Sequence, residues 1–397
     1  MIDVILANNT RPPITGPFLV RYSACGVYLS LLKCGLNARY IDHITEAGKG
    51  SIPVYEPASG NISCFGVYFG NKVNAFRLME QVRRSESLSH KIIAFGSFAS
   101  VFSEEILSRG LADVVVENDP EFVMPEVIRK AMHVDLLSDI PNLIYMHKSK
   151  MVHTKKYSFP NLDEIPFAGP YLYSQGLRPA HIVTARGCQY HCIYCDRNTH
   201  WGGGVRNRSV EHVLSEIKEL VLNLHANEIH FLDEDIAADK ERLAKLCVGI
   251  RQIKKEFRWH CCACVDSVSK ELLVLMKYAG CSVVNFGVES ASMDVLRRIG
   301  KKYTRKDILN ALRWTEEAGL KVEIMLTIGN PGETDADREL TLSLLREIGN
   351  DIILTTNQMV VAPGTSMYRK GLREGWFSQK SYFEDEQVFY YPASEKV

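Results

Sequence analysis

Thr184-Ala185-Arg186-Gly187-Cys188-Gln189-Tyr190-His191-Cys192-Ile193-Tyr194-Cys195 sets three cysteines at Cys-x3-Cys-x2-Cys spacing, directly after the strand-like run His181–Arg186. A glycine opens the loop. Three thiolates this close suit one face of a cuboidal iron–sulfur cluster, in which each iron normally takes one thiolate. Three ligands then leave one iron open, as a catalytic metal needs. Two other readings compete. The cysteines could hold structural zinc with His191 or His200 as fourth ligand, or they could be packing cysteines clustered by chance.

Downstream of the loop, residues 181–362 alternate strand and helix six times. The strands are expected at His181–Arg186, Glu228–Leu232, Arg258–Val265, Ser282–Val288, Lys321–Ile328 and Asp351–Val360. A closed eightfold barrel takes about 250 residues, so this length predicts an open, partial (βα)6 barrel with its site at the carboxyl ends of the strands. Upstream, the first 130 residues or so also alternate, with strands at Val4–Asn9, Ala38–Ile44, Ile62–Phe69, Ile92–Phe95 and Asp113–Val116. Helices between strands imply parallel pairing. The expected fold class is therefore α/β: an N-terminal five-stranded doubly wound parallel sheet plus the partial barrel. Ligands bind such a sheet at the carboxyl ends of its strands, in loops beginning near Asn8, Gly70, Gly96 and Glu117. The expected domains are 1–132, a Pro- and Asp-rich linker at 133–180, the barrel at 181–370 and an aromatic-rich tail at 371–397, which could cover the barrel's open side.

The chain has 397 residues, with 47 Lys+Arg against 47 Asp+Glu. That balance argues against a nucleic-acid binder, which needs surplus cations. No apolar run approaches the ~20 residues of a membrane span, and the N-terminus shows an acid where a signal peptide is basic. The expected compartment is the cytoplasm, where the eleven cysteines stay reduced and clusters of them bind metal or do catalysis. Cys261, Cys262 and Cys264 lie on a strand whose alternation splits them between faces, and buried packing is expected for them.

The cysteine loop, with Tyr194 before its last cysteine, resembles the radical S-adenosylmethionine (SAM) superfamily over about 200 residues. Trp201-Gly202-Gly203-Gly204 with Arg206, Arg208 and Ser209 resembles the segment after that loop in the cobalamin-domain branch, and Phe95-Gly96 and Ala112-Asp113-Val114-Val115 resemble its N-terminal domain. The resemblance implies a radical SAM barrel preceded by a cobalamin-binding-like domain. It implies a 4Fe-4S cluster on Cys188, Cys192 and Cys195 that cleaves SAM reductively to a 5′-deoxyadenosyl radical. Around SAM it places Tyr194, Asp233 and Glu234 of Asp233-Glu234-Asp235, Glu289 and Ser290 of Gly287-Val288-Glu289-Ser290, and Gly329 and Pro331 of Gly329-Asn330-Pro331-Gly332-Glu333-Thr334. Helix capping and turn geometry are the plainer explanations of these acids and glycines. The implied reaction is cobalamin-dependent methyl transfer to an unactivated carbon, fed by an electron donor such as flavodoxin or ferredoxin. A radical rearrangement, cyclisation or bond formation without cobalamin is the alternative, and a non-catalytic metal-binding sensor is the reading from another class. The cobalamin motif Asp-x-His-x-x-Gly is absent from the sequence, so no histidine of that motif would ligate cobalt. Asn118 and Ser97 stand where relatives often carry glycine. No segment names the small-molecule or peptide substrate.

Overall fold

The protein is described here from a computed structural model, which covers residues 1–7, 17–43, 62–85, 90–201, 204–348, 352–385 and 389–392. The expected loop at Asn8, the ends of the strands placed at Asn9 and Ile44, and Gly202-Gly203 lie outside these residues. Two compact units emerge. One comprises residues 1–171, 199–202 and 378–387, the other residues 172–198, 203–377 and 388–397.

The first unit is built on a seven-stranded sheet: β1 (Ile2–Leu6), β2 (Ala38–Asp42), β3 (Ile62–Gly66), β4 (Lys91–Phe95), β5 (Val114–Val116), β6 (Leu143–His147) and β7 (Lys150–His153). The spatial order is β2-β1-β3-β4-β5-β6-β7. The first five strands are parallel, as expected. The last two pair antiparallel and correct both the five-strand expectation and the linker at 133–180. Their turn places Lys148 at φ 49° and Ser149 at φ 61°. Two left-handed residues are what a tight hairpin needs, but without Asn or Gly the usual turn signal is missing. Val20, Ala24, Val27 and Leu31 recur at helical spacing along Pro17–Lys33 and pack on Val4, Leu6, Cys64 and Ile93 of the sheet. Each such burial is worth roughly 1.5–3 kcal/mol relative to exposure. Tyr382 and Phe383 of the tail belong to this unit, where Phe383 stacks on Phe76 at 4.7 Å.

The second unit holds β8 (Ala180–Ile182), a short antiparallel ribbon of β9 (Ala185–Arg186) and β10 (Arg206–Asn207), then β11 (Glu228–Phe231), β12 (Arg258–Ala263), β13 (Cys281–Glu289), β14 (Lys321–Ile328) and β15 (Ile353–Gln358). The six main strands lie in the order β8-β11-β12-β13-β14-β15 and all pair in parallel, which is the partial barrel. The strand expected over His181–Arg186 breaks at Val183, because the Thr184 N–H donates to Asp233 instead of to a ladder. The intervening helices start on side-chain caps: Ser209, Asp239, Ser269, Ser292 and Thr304 each accept from a backbone N–H one turn on. Such caps are worth about 1 kcal/mol each. Along β12 the faces alternate: Trp259, Cys261 and Ala263 are buried, whereas His260 and Cys262 are half-buried. Cys261 lies beside Cys247 of the helix Lys240–Arg251 and beside Cys281. The buried face therefore meets the helices, and Cys262 stands on the inner face, short of the full burial expected for it.

Candidate active site

The cysteine loop leaves the carboxyl end of β8 and is held at both ends. Gly187 sits at φ 92°, and a Cβ there would lie 1.7 Å from the Gly204 carbonyl oxygen. Only glycine allows that approach. Farther along, the Ile193 N–H donates to Ile299 O and the Met367 N–H to Ile193 O. Gly300, at φ 86°, lets the end of the helix Met293–Ile299 close on the loop, since a Cβ there would meet His191 O at 3.2 Å. Before the loop, Arg242 donates to Thr184 O at 3.0 Å and Arg208 to Val183 O at 2.8 Å, while Arg208 pairs with buried Glu216 at 2.6 Å.

Cys188, Cys192 and Cys195 are free thiols, each half-buried. Burial pushes all three thiols up, Cys195 to about 12 despite the opposing charge of Arg197. Thiolates here therefore depend on a bound cation for their stability. Among the described residues, these sulfurs do not join one another or a histidine in any group of three within 4.8 Å. A single zinc, with Zn–S of about 2.3 Å, needs sulfurs roughly 3.8 Å apart. Among the described residues the loop thus shows no preformed zinc site, and its three free thiols are of the type that ligates an iron–sulfur cluster.

The strand ends around the loop divide into structural and available groups. Asp233 is buried and turned to Thr184, whose hydroxyl donates at 2.7 Å and whose N–H donates at 3.0 Å. The clamp engages both carboxylate oxygens. Glu234 pairs with Arg197 at 3.0 Å. Asp235 accepts from Ser267 at 2.8 Å through Oδ1, while its buried Oδ2 has no partner. Burial raises the Asp235 carboxyl, against the hydrogen bonds from Ser267 and the Cys264 and Ala237 backbone. Arg197 Nη1, Asn285 Oδ1 and Asn330 Oδ1 are likewise buried without partners. Buried polar atoms in this condition are rare enough to call for an explanation.

Glu289 ends β13 at φ 61°, beyond a register shift against β14. It accepts from Thr327 Oγ1 and stands 3.7 Å from Lys301 Nζ. Ser292, and not Glu289, caps the following helix. Ser290 Oγ accepts from the Ser292 N–H and lies 3.2 Å from Thr341 Oγ1 of the helix Asp335–Ile348. Tyr194 is half-buried, and desolvation pushes its phenol up. Gly329, at φ 72°, donates its N–H to Glu333, which also accepts from Asn330, so Gly329 and Pro331 lie in a turn organised by that acid. Sequence reasoning missed Lys301, Thr327, Arg197 and Asn285, because each matters through a strand or helix remote in sequence.

Residues 182–345 match the radical SAM superfamily. An uncharacterized methyltransferase of Pyrococcus horikoshii is 28% identical over 266 residues, 64% of this chain and 57% of its own length. The cytidylyl-2-hydroxyethylphosphonate methyltransferase of Streptomyces wedmorensis is 24% identical over 238 residues, 54% of this chain and 45% of its own. The chain thus spans about half the length of these curated relatives. Among solved structures, the radical SAM methyltransferase TsrM of Kitasatospora setae, with cobalamin and a [4Fe-4S] cluster bound, shares the fold at a TM-score of 0.75 and 16% identity, over 94% of this chain and 74% of that one. No helix among the described residues is long and apolar enough to cross a membrane. The match to the radical SAM superfamily thus lies on residues 182–345, the stretch that carries the cysteine loop and the strands β9 to β14.

Proposed function

We propose that the protein is a cobalamin-dependent radical SAM methyltransferase acting on an unactivated carbon, working in the cytoplasm with a low-potential donor such as flavodoxin or ferredoxin. The carrying observation is the cysteine loop at the carboxyl end of a parallel partial barrel, with three free, half-buried thiols. Cys188, Cys192 and Cys195 would hold the [4Fe-4S] cluster. When bound, the cluster supplies an electron for SAM cleavage and the corrin supplies a methyl group for transfer.

The chain's own groups fit these cofactors. Asp235 Oδ2 and Asn285 Oδ1 are buried acceptors suited to an ammonium, and Arg197 Nη1 is a buried donor suited to a carboxylate. Glu289 offers a carboxylate for ribose hydroxyls, oriented by Thr327 and Lys301. Tyr194, Glu234, Ser290, Gly329 and Pro331 would shape the same pocket, and burial of these walls would exclude water. In the first unit, Asn118 Oδ1 is buried without a partner just past β5, an acceptor suited to a corrin amide. At the end of β4, a Cβ on Gly96 would meet Val67 O at 2.6 Å, so the loop there is tight by construction. A methylthiotransferase would need further cluster cysteines in its first domain; of Cys25, Cys34 and Cys64, the first and last are fully buried in helix and strand, and Cys34 is exposed just past the helix Pro17–Lys33.

The test is anaerobic reconstitution with iron and sulfide, followed by SAM, dithionite and hydroxocobalamin. The expected result is 5′-deoxyadenosine formation that Cys192→Ala abolishes, with a corrin spectrum retained through gel filtration. Deoxyadenosine without retained corrin would favour a cobalamin-free rearrangement or cyclisation. An iron-free protein that leaves SAM intact would overturn the reading and favour a metal-binding sensor.

A further inference from the structure

At the other end of the barrel strands, the inner face carries a second set of ligand-type residues. Strand register aligns His230 with His260 on one side and with His181 on the other, and Glu228 lies two residues before His230 on the same face. Glu228 Oε1 stands 2.9 Å from His230 Nε2 and 3.6 Å from His260 Nε2. One ligand atom from each of Glu228, His230 and His260 falls within 4.8 Å of the others. In a tetrahedral site with metal–ligand bonds of 2.0–2.1 Å, neighbouring ligand atoms stand roughly 3.3–3.4 Å apart, and the 2.9 and 3.6 Å separations bracket that value.

We propose that Glu228, His230 and His260 form a site for one divalent first-row transition ion, separate from the cysteine loop. Two imidazoles and a carboxylate leave coordination positions open and suit zinc and its first-row neighbours better than calcium or magnesium. The side chains are about one-third exposed, at 32% for His230, 31% for His260 and 27% for Glu228, so an ion and its waters can enter from solvent. The two imidazoles stack at 4.3 Å and 20°. One ring turns about its Cβ–Cγ bond on binding so that both lone pairs aim at the ion. Arg258 lies 3.4 Å from the far oxygen of Glu228, but its side chain is 71% exposed and swings into water when the metal neutralises the acid. His181 packs edge-on against His230 at 5.6 Å and limits how that ring turns.

The test uses the full chain with its iron–sulfur content reconstituted, titrated with Zn2+ against a colorimetric chelator, with zinc and iron then counted per chain by mass spectrometry. One zinc per chain is expected in addition to the iron. His230→Gln and His260→Gln should each weaken zinc binding by at least about tenfold, since even residues behind a metal's ligands cost 10–100-fold when removed, while the iron count stays at the wild-type value. Glutamine keeps the size and polarity of the site, and circular dichroism checks that the variants fold. Cys192→Ala, which lacks the second of the three loop thiolates, should keep the zinc; this separates the inference from the reading of the cysteine loop. Zinc bound equally by wild type and both glutamine variants, or no zinc beyond trace in the wild type, overturns it.

Discussion

Thr184→Val removes one hydroxyl that organises the entry to the cysteine loop. That hydroxyl donates to Asp233 Oδ1 at 2.7 Å and accepts from Arg242 at 3.2 Å, with both residues on other elements. Valine matches its shape, so packing is preserved and the loss is polar. Hydrogen bonds to charged groups contribute about 1.5–3 kcal/mol each, and the Arg242 contact is long, so the expected deficit is about 2–4 kcal/mol. In a unit of roughly 200 residues each kcal/mol lowers Tm by about 2–4 °C, which predicts a drop of roughly 5–15 °C. The deficit should also depend on pH. Burial raises the Asp233 carboxyl above its ordinary value, and the Thr184 donors oppose that rise. Without the hydroxyl it rises further, so the native variant binds a proton at a pH where the unfolded chain has released it. Stability then falls as pH rises toward the native value, and the deficit is larger at pH 8 than near pH 4, close to the ordinary carboxylate value. Adding Asp233→Asn removes the buried charge and should restore part of the loss. Anaerobic calorimetry of both variants at the two pH values provides the measurement. A deficit below about 0.5 kcal/mol, an equal deficit at both pH values, or a double variant no better than the single one would refute the clamp.

Gly187→Ala places a methyl against the Gly204 carbonyl and forces a left-handed alanine, so iron content after reconstitution should fall to a small fraction of wild type. Lys301→Met leaves the Glu289 carboxylate largely buried beside Thr327 alone; a Tm loss equivalent to about 2–4 kcal/mol is expected, with partial recovery on adding Glu289→Gln. Burial works against the charge of Asp337, but donors from Ser292 and Thr334 hold its carboxyl below the usual value. That stabilisation is present above pH ~4 and is lost as pH falls through the lowered native value, so wild type and Asp337→Asn should differ by about 1–2 kcal/mol at pH 7 and converge in acid melts.

What the sequence made legible was local. The cysteine spacing, the parallel strand–helix alternation and caps such as Asp239 and Thr304 depend on neighbours a few residues apart. The hairpin at 143–153 escaped notice because Lys148 and Ser149 take left-handed conformations that their side chains do not advertise. The clamp on Asp233 carries no sequence mark because its partner, Thr184, lies 49 residues away. Lys301 carries no signature of its own and gains meaning only when β13 brings Glu289 beside it. Likewise, Glu228 and His230 are an ordinary alternating pair until strand register supplies His260.

Glu289 holds a backbone conformation that suits glycine, just past an irregular step in the pairing of β13 with β14. Glu289→Gly would relieve about 1–2 kcal/mol of backbone strain, but it would also strip the largely buried Lys301 of its carboxylate, a loss of similar or larger size. Ion pair and Thr327 hydrogen bond thus hold an unfavourable backbone in place, and neither can be removed alone without exposing the cost of the other. Thermal hardening of this chain should therefore leave residue 289 untouched.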